Sequence, residues 1–159
     1  MDTDLASSVL VDSNLLFVFV VGCTSRDHVG RARRTEQYSV EDFDLLQLTL
    51  AEFDEVLVTP HVLAETSNLL GYLADPLLSA ARVTLAALLP PWQERFTRGT
   101  ELTGTSVYLR LGLTDSALFS TASASITLLT DDLPLFIAAG SAGRSAINFT
   151  HLRQERGTL

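Results

Sequence analysis

The sequence predicts an α/β fold in three layers, with helices on both faces of a central, mostly parallel sheet of four to five strands. Short apolar runs rich in Val, Ile and Leu recur along the chain, and amphipathic helical segments separate them. The 159 residues suffice for one core, so residues 1–159 are treated as a single domain. Apolar residues make up 47% of the chain, which is enough to build that core.

The first elements begin near the amino terminus. Residues 8–11 (SVLV) form an apolar, β-branched run that predicts a buried strand. Residues 14–22 are apolar throughout and fit either a continuation of that strand or a helix. Residues 24–39 are polar and predict a mobile loop. Ser39 is a candidate N-cap for the helix that follows, because acidic residues occupy the first turn beyond it.

The middle of the chain carries the clearest helix signals. Residues 56–58 predict a second strand, and the Thr59-Pro60 pair after it suits an N-cap followed by the first helical position. A further helix is predicted from Asp75-Pro76 onward, with an apolar stripe that ends before Pro90-Pro91.

In the last third of the chain, a stretch without predicted secondary structure is followed by alternating strands and helices. Residues 94–104 are polar and predict no regular element. Thr114 is a candidate N-cap for a helix over residues 115–124. The remaining predicted elements are a strand, a short helix and a last strand, at residues 126–129, 134–139 and 146–149.

Charge and composition exclude several functions. The formal net charge is -8 with a pI near 4.7, which argues against a generic nucleic-acid coat protein. The chain has eleven Arg and no Lys, which rules out a P-loop and Schiff-base chemistry. Cys23 is the only cysteine, so neither an intrachain disulfide nor a cysteine-based zinc site can form. A reducing, cytoplasmic location is expected, with no membrane association, because the apolar run near the start is too short to span a bilayer.

Four acidic residues occur where a surface acid would be unusual. Asp12 and Asp132 follow predicted strands, Glu65 lies on an otherwise apolar helix face, and Asp115 lies at a helix start. In parallel sheets, ligands collect at the carboxyl ends of the strands, where Asp12 and Asp132 lie. Carboxylates gathered there repel by roughly 4 kcal/mol per pair at about 4 Å unless a cation offsets them. Ligation by oxygen alone suits Mg²⁺ or Mn²⁺.

The segments around these acids resemble the PIN-domain family, in particular the VapC-type toxin ribonucleases of toxin–antitoxin pairs. The matching motifs occur in the family's order and span residues 9–149. They are D-x-N at 12–14, T-P-x-V-x-x-E at 59–65, G-L-T-D-S-A at 112–117 and L-L-T-x-D at 128–132.

The resemblance implies a role for each matching residue. Asp12, Glu65 and Asp115 would bind Mg²⁺ or Mn²⁺, and Asp132 would be the fourth acid. The residues that would support the site are Asn14, Thr130 and Ser116, with Asp131 as a less favoured substitute for Asp132. The resemblance also implies hydrolysis of RNA by metal-activated water, leaving a 3′-hydroxyl and a 5′-phosphate. The implied partners are an RNA substrate, a cognate antitoxin protein and a second copy of the chain in a homodimer.

Simpler interpretations stay open for several residues. Asp12 alone fits a turn, Asp115 alone fits a helix-start acid that favours the helix dipole, and Glu65 could pair with Arg82 or Arg110. The arginines of the polar loop fit a solvated segment as well as an RNA contact. They are Arg26, Arg31, Arg33 and Arg34.

Rival functions also remain. A haloacid-dehalogenase-type phosphatase needs a second Asp where Asn14 stands, and it also needs a lysine or an equivalent cation. A receiver domain needs a lysine, which the chain lacks. A PIN fold used as a non-catalytic binding module is the strongest rival, although such a module would be expected to lose one or more of the acids. An RNA-processing nuclease that is not a toxin is a further alternative.

Overall fold

The computed structural model describes residues 6–157 and is built on a five-stranded sheet. All four strand pairs are parallel, and the spatial order is β3-β2-β1-β4-β5. The strands are β1 (Ser8–Val11), β2 (Glu55–Val58), β3 (Gln93–Glu94), β4 (Ile126–Thr130) and β5 (Ala146–Asn148). Helices flank this sheet, so the predicted three-layer α/β/α fold with a parallel sheet is confirmed.

Nine α-helices lie within the described range of residues 6–157. They are α1 (Ser13–Thr24), α2 (Val40–Ala51), α3 (Pro60–Leu70), α4 (Leu77–Leu88), α5 (Gly99–Leu102), α6 (Tyr108–Leu111), α7 (Leu113–Thr121), α8 (Leu133–Ser141) and α9 (Phe149–Arg156). The ambiguous stretch over residues 14–22 is therefore a helix. None of these helices is long and apolar enough to cross a lipid bilayer.

Local capping explains where the helices start. The Ser39 hydroxyl accepts a hydrogen bond from the backbone N–H of Asp42, and the Asp42 carboxylate accepts one from the N–H of Ser39, which completes a capping box on α2. Thr59 caps α3 through the N–H of Val62, and Pro60 occupies its first position. The predictions for Ser39, Thr59 and Pro60 are confirmed.

The core is centred on α1, which packs against α2, α3 and α4. Its residues 15–22 are all buried, because the helix lies between the sheet and other helices and is apolar on every side. Gly22 allows the close approach of α2, because a Cβ at this position would clash with the ring of Phe43. Asp12 lies at the opposite end of α1 from Gly22, between the end of β1 and the start of the helix.

Three sequence predictions were wrong or incomplete. The helix expected over residues 115–124 begins at Leu113 and ends at Thr121, and its N-cap is Gly112 rather than Thr114. Gly112 has a φ of 87°, a conformation that strongly favours glycine, so the chain reverses there before α7 starts. The polar residues 94–104 contribute to the edge strand β3 and the short helix α5. Helix α9 at the carboxyl end was not predicted.

The polar segment over residues 24–39 has no strand and only one short 3-10 turn, Arg26–His28. It is nevertheless anchored to the protein, because Val29, Thr35 and Tyr38 are buried. The prediction of a loop is therefore confirmed, but its inner side chains are part of the core rather than solvated.

Candidate functional site

The strand register places Asp12 beside the carboxyl end of β4. Strands β1 and β4 are neighbours, with Val11 opposite Leu129, and the Asp12 N–H donates a hydrogen bond to the Leu129 carbonyl at 3.2 Å. Asp12 is therefore level with Thr130, the last residue of β4. The carboxyl ends of both strands open on the same edge of the sheet, as expected for parallel neighbours.

Asp12 is a buried carboxylate that receives neutral donors only. One oxygen accepts a hydrogen bond from the Leu15 N–H at 3.0 Å, so Asp12 is also the N-cap of α1. The other oxygen accepts bonds from the Thr130 hydroxyl and from the Asp131 N–H at 3.1 Å. Burial first, and then the negative charge of Asp131, raises the pKa of Asp12 to about 8, although these hydrogen bonds oppose the shift.

Four carboxylates from separate segments line one cavity of about 340 Å³, which we call the acidic cavity. The acids are Asp12, Glu65, Asp115 and Asp132. Hydroxyl, amide and apolar side chains complete its wall, and no basic residue of the described range contributes to it. No basic side chain of this lining therefore offsets the negative charge that the carboxylates carry when they are ionised.

Asp115 lies close enough to two of the other acids for their charges to act on it. The start of α7 holds it at the cavity wall, partly buried. Burial raises the pKa of Asp115 to about 6, with further contributions from the negative charges of Asp132 and then Glu65. Glu65 is exposed on α3 and forms no salt bridge with Arg82 or Arg110 in the described range.

The adjacent residues Asp131 and Asp132 have different surroundings. Asp132 lines the acidic cavity and caps α8 by accepting a hydrogen bond from the Leu135 N–H at 2.8 Å. Asp131 is not part of the cavity wall, and its carboxylate accepts a hydrogen bond from the Tyr38 hydroxyl. Asp132 therefore lies on the cavity wall with the other acids, whereas Asp131 lies beside Asp12 but outside that wall.

The expected supporting residues differ in what they contact. Thr130 is buried; its hydroxyl donates to Asp12 and accepts from the Asp132 N–H at 3.0 Å, so it connects two of the acids. Asn14 is exposed and lines the acidic cavity. Ser116 is buried, does not line the cavity, and donates to the carbonyl oxygen of Gly112 at 2.7 Å.

Sequence reasoning missed Ser13. Its side chain lines the acidic cavity, and its buried Oγ has no hydrogen-bond partner within residues 6–157. Buried hydroxyls are normally hydrogen-bonded, so this atom has spare capacity for a ligand in the cavity. The available signal was its position, because it is a polar residue between Asp12 and Asn14 at the start of an otherwise apolar helix.

The four arginines of the polar segment lie away from the acidic cavity. Arg26 forms an ion pair with Asp44 at 2.6 Å. Arg33 and Arg34 lie over the ring of Tyr72, with their guanidinium carbons 5.1 and 4.2 Å from its centroid. Three of the four therefore have partners within the protein.

The four acids line a common cavity, but their carboxylates are not close enough together to bind one metal ion. Within residues 6–157, no three His, Cys, Asp or Glu side chains are grouped closely enough to hold a metal ion as they stand. A cation at this site would have to draw at least some of the carboxylates inward. The more exposed position of Glu65 leaves its side chain room for such a movement.

Comparison with known proteins identifies no family. No protein-family model matches the chain, and no curated protein matches it. One similar solved structure is a domain of a functionally unknown protein from Methanocaldococcus jannaschii DSM 2661, with 14% identity and a TM-score of 0.47. The similarity covers 90% of this chain and 91% of that chain, and it carries no functional argument.

Proposed function

We propose that this protein is a metal-dependent endoribonuclease that hydrolyses RNA phosphodiesters at the acidic cavity with Mg²⁺ or Mn²⁺. The observation that carries the proposal is the set of four uncompensated carboxylates, delivered to one cavity by four separate segments. A protein gains no stability from gathering like charges in this way, and raised pKa values are common at functional sites. The motif resemblance to PIN-domain ribonucleases supplies the reaction class.

The donor chemistry of the cavity fits a hard divalent cation. Asp12, Glu65, Asp115 and Asp132 offer carboxylate oxygens, and Ser13 adds a hydroxyl with free hydrogen-bonding capacity. Among the residues that the structure describes, no thiolate or imidazole lines the cavity, so soft or borderline metals are disfavoured. When bound, the cation would neutralise charge on the scissile phosphate and lower the pKa of a water molecule.

The protein's own residues have separable tasks in this mechanism. The backbone N–H groups of Leu15 and Asp131 hold the two Asp12 oxygens in place, so that carboxylate is preorganised. Thr130 connects Asp12 to the backbone of Asp132, which keeps those two acids in register. In the reaction, a water oxygen bonds to phosphorus and the bond from phosphorus to the 3′ oxygen breaks, leaving a 3′-hydroxyl and a 5′-phosphate.

We further propose that this activity serves as the toxin of a toxin–antitoxin pair, which would require a cognate antitoxin and is consistent with a homodimer. This part rests on the motif resemblance alone. The RNA-processing alternative shares the same chemistry and differs only in its target.

A non-catalytic binding module is the second candidate, and one observation favours it. The acids of residues 6–157 do not form a ready metal-binding group. A module that never binds metal would leave the cavity in this open state. Measurement of metal binding therefore separates the two functions.

The first experiment compares wild type with Asp12→Asn, using labelled structured RNA in Mg²⁺, in Mn²⁺ and in EDTA. The matched control is Asp27→Asn, because Asp27 is exposed and far from the acidic cavity wall. Cleavage should require metal, should persist in the control, and should fall about a thousandfold in Asp12→Asn, equivalent to ~4 kcal/mol of lost stabilisation.

Other outcomes are also informative. Cleavage that is equal in all three proteins would show that Asp12 is not part of the site. Absence of both cleavage and Mn²⁺ binding by calorimetry, in folded wild-type protein, would favour the binding module.

A further inference from the structure

A second cavity adjoins the acidic cavity. It has a volume of about 540 Å³ and lies between α6 and α8, so we call it the α6–α8 groove. Three residues that line the groove are each next in sequence to a residue that lines the acidic cavity. Arg110, Phe119 and Leu133 line the groove, and their neighbours Leu111, Leu118 and Asp132 line the acidic cavity. Consecutive Cα atoms are about 3.8 Å apart, so the two cavities share a wall.

The groove is mostly apolar, with a few polar groups. Val107, Leu133 and Ile137 form part of its wall, and the last two are 49% and 55% exposed. Ser106 and Ser141 add hydroxyl groups. A concave apolar surface with a small number of polar groups is typical of small-molecule and nucleotide sites, and this volume falls within their usual range.

Arg110 is the only charged side chain among the described residues that line the groove. It is exposed and forms no ion pair or side-chain hydrogen bond within residues 6–157. Arg26 and Arg153, by contrast, are bonded to Asp44 and Asp42. A guanidinium with all its donors available, close to an acidic cavity, is suited to hold a phosphate by two parallel hydrogen bonds.

We propose that the α6–α8 groove binds a nucleotide of the RNA substrate next to the cleaved phosphodiester, with Arg110 on its phosphate. The inference rests on the proposed ribonuclease function and adds a substrate-binding site to it. The shared wall places a neighbouring nucleotide here when the scissile phosphate is at the acidic cavity. The apolar wall contacts the base, while the serine hydroxyls reach its polar edge. The free positive charge favours this occupant over an apolar protein segment.

The test measures RNA binding apart from cleavage. Fluorescence anisotropy follows a labelled single-stranded RNA of mixed sequence, about 12 nucleotides long, in EDTA at several salt concentrations. The key variant is Arg110→Met. Its matched control is Arg82→Met, an exposed arginine on α4 that lines neither cavity.

Loss of the phosphate contact should raise the Kd of Arg110→Met about tenfold. The slope of log K against log salt should also become shallower by about 0.7, which is the contribution of one phosphate contact on a single strand. Arg82→Met should change neither quantity. A second groove variant, Ile137→Glu, places a negative charge on the apolar wall and should weaken binding as well.

Each remaining outcome counts against a defined part of the proposal. If both groove variants bind RNA as tightly as Arg82→Met does, the groove is not a nucleotide site, and a protein segment becomes the better occupant. If Arg110→Met loses affinity with an unchanged salt slope, the phosphate contact is wrong. Either result can occur while cleavage still depends on Asp12, so it leaves the ribonuclease function standing. Failure of wild type both to bind and to cleave RNA overturns both proposals.

Discussion

Two buried aspartates in this protein, Asp12 and Asp42, differ in the charge of the groups that they contact. Asp42 is fully buried and forms a 2.9 Å ion pair with Arg153, in addition to its role in the capping box of α2. Asp12 is 6% exposed, receives neutral donors only, and faces a cavity with three more acids. Within residues 6–157, the protein therefore provides a cation for the first aspartate and none for the second.

The difference separates an acid that is ion-paired inside the protein from one that faces a cavity. Arg153 also donates to the Gln37 carbonyl at 2.8 Å and lies 5.1 Å from the ring centre of Tyr38, so its ion pair anchors the polar segment to α2 and α9. At Asp12, by contrast, burial without a cation raises the pKa and works against the charged form. A bound cation, as proposed for the acidic cavity, would supply that positive charge.

The largest effect on stability should come from removing the structural cation. Arg153→Met leaves the negative charge of Asp42 inside the protein, and breaking a buried ion pair in this way should lower the free energy of unfolding by about 3–5 kcal/mol. Urea unfolding followed by circular dichroism measures the loss. Arg156→Met, at an exposed position on the same helix, is the control. Equal stability of the two variants would mean that Arg153 is not needed to neutralise Asp42.

A smaller, pH-dependent effect is expected at Asp12. Its pKa is about 8 in the folded protein against 3.8 for an ordinary aspartate, so between about pH 4 and pH 8 the folded state holds a proton that the unfolded state has lost. Stability without metal should therefore fall as pH rises through this window. Asp12→Asn should flatten that slope, as measured by urea unfolding in EDTA at pH 5 and pH 8. An equally steep slope in the variant would assign the titration to another group.

The smallest effect should come from Tyr38, whose hydroxyl donates a hydrogen bond to Asp131. Tyr38→Phe removes the hydrogen bond to Asp131 and should lower the free energy of unfolding by about 1 kcal/mol. Mn²⁺ binding measured by calorimetry should persist, because Asp131 does not line the cavity. If Tyr38→Phe lost Mn²⁺ binding as completely as Asp12→Asn, Asp131 would have to be counted among the ligands.

The sequence predicted the elements whose signals are local. The capping residues Ser39 and Thr59 and the helices that they start follow from contacts within three or four residues along the chain, and so does the position of Asp12 at the end of β1. The edge strand β3 has only two residues, both exposed, so it carries no apolar pattern to detect. The left-handed turn at Gly112 was missed because Thr114 offered a better local cap.

For the candidate site too, local motifs could be predicted from the sequence, whereas contacts between distant residues could not. The motifs around Asp12, Glu65, Asp115 and Asp132 could be read from the sequence, but the choice between Asp131 and Asp132 could not, since both follow β4 directly. The two differ in their contacts: Asp132 lines the cavity, whereas Asp131 accepts a hydrogen bond from Tyr38, which is 93 residues away in the chain. The contribution of Ser13 became visible only as a buried hydroxyl without a partner.

By itself, the sequence determined the α/β class, the main helices and the four acids, because periodicity, capping and residue chemistry act over short distances along the chain. Only the tertiary structure decided which acids share a cavity, which buried aspartate has an arginine beside it, and which arginine is left available next to the site. Those properties depend on strand order and on contacts between distant segments. The pairing of Asp42 with Arg153 joins residues 111 positions apart, which no local pattern encodes.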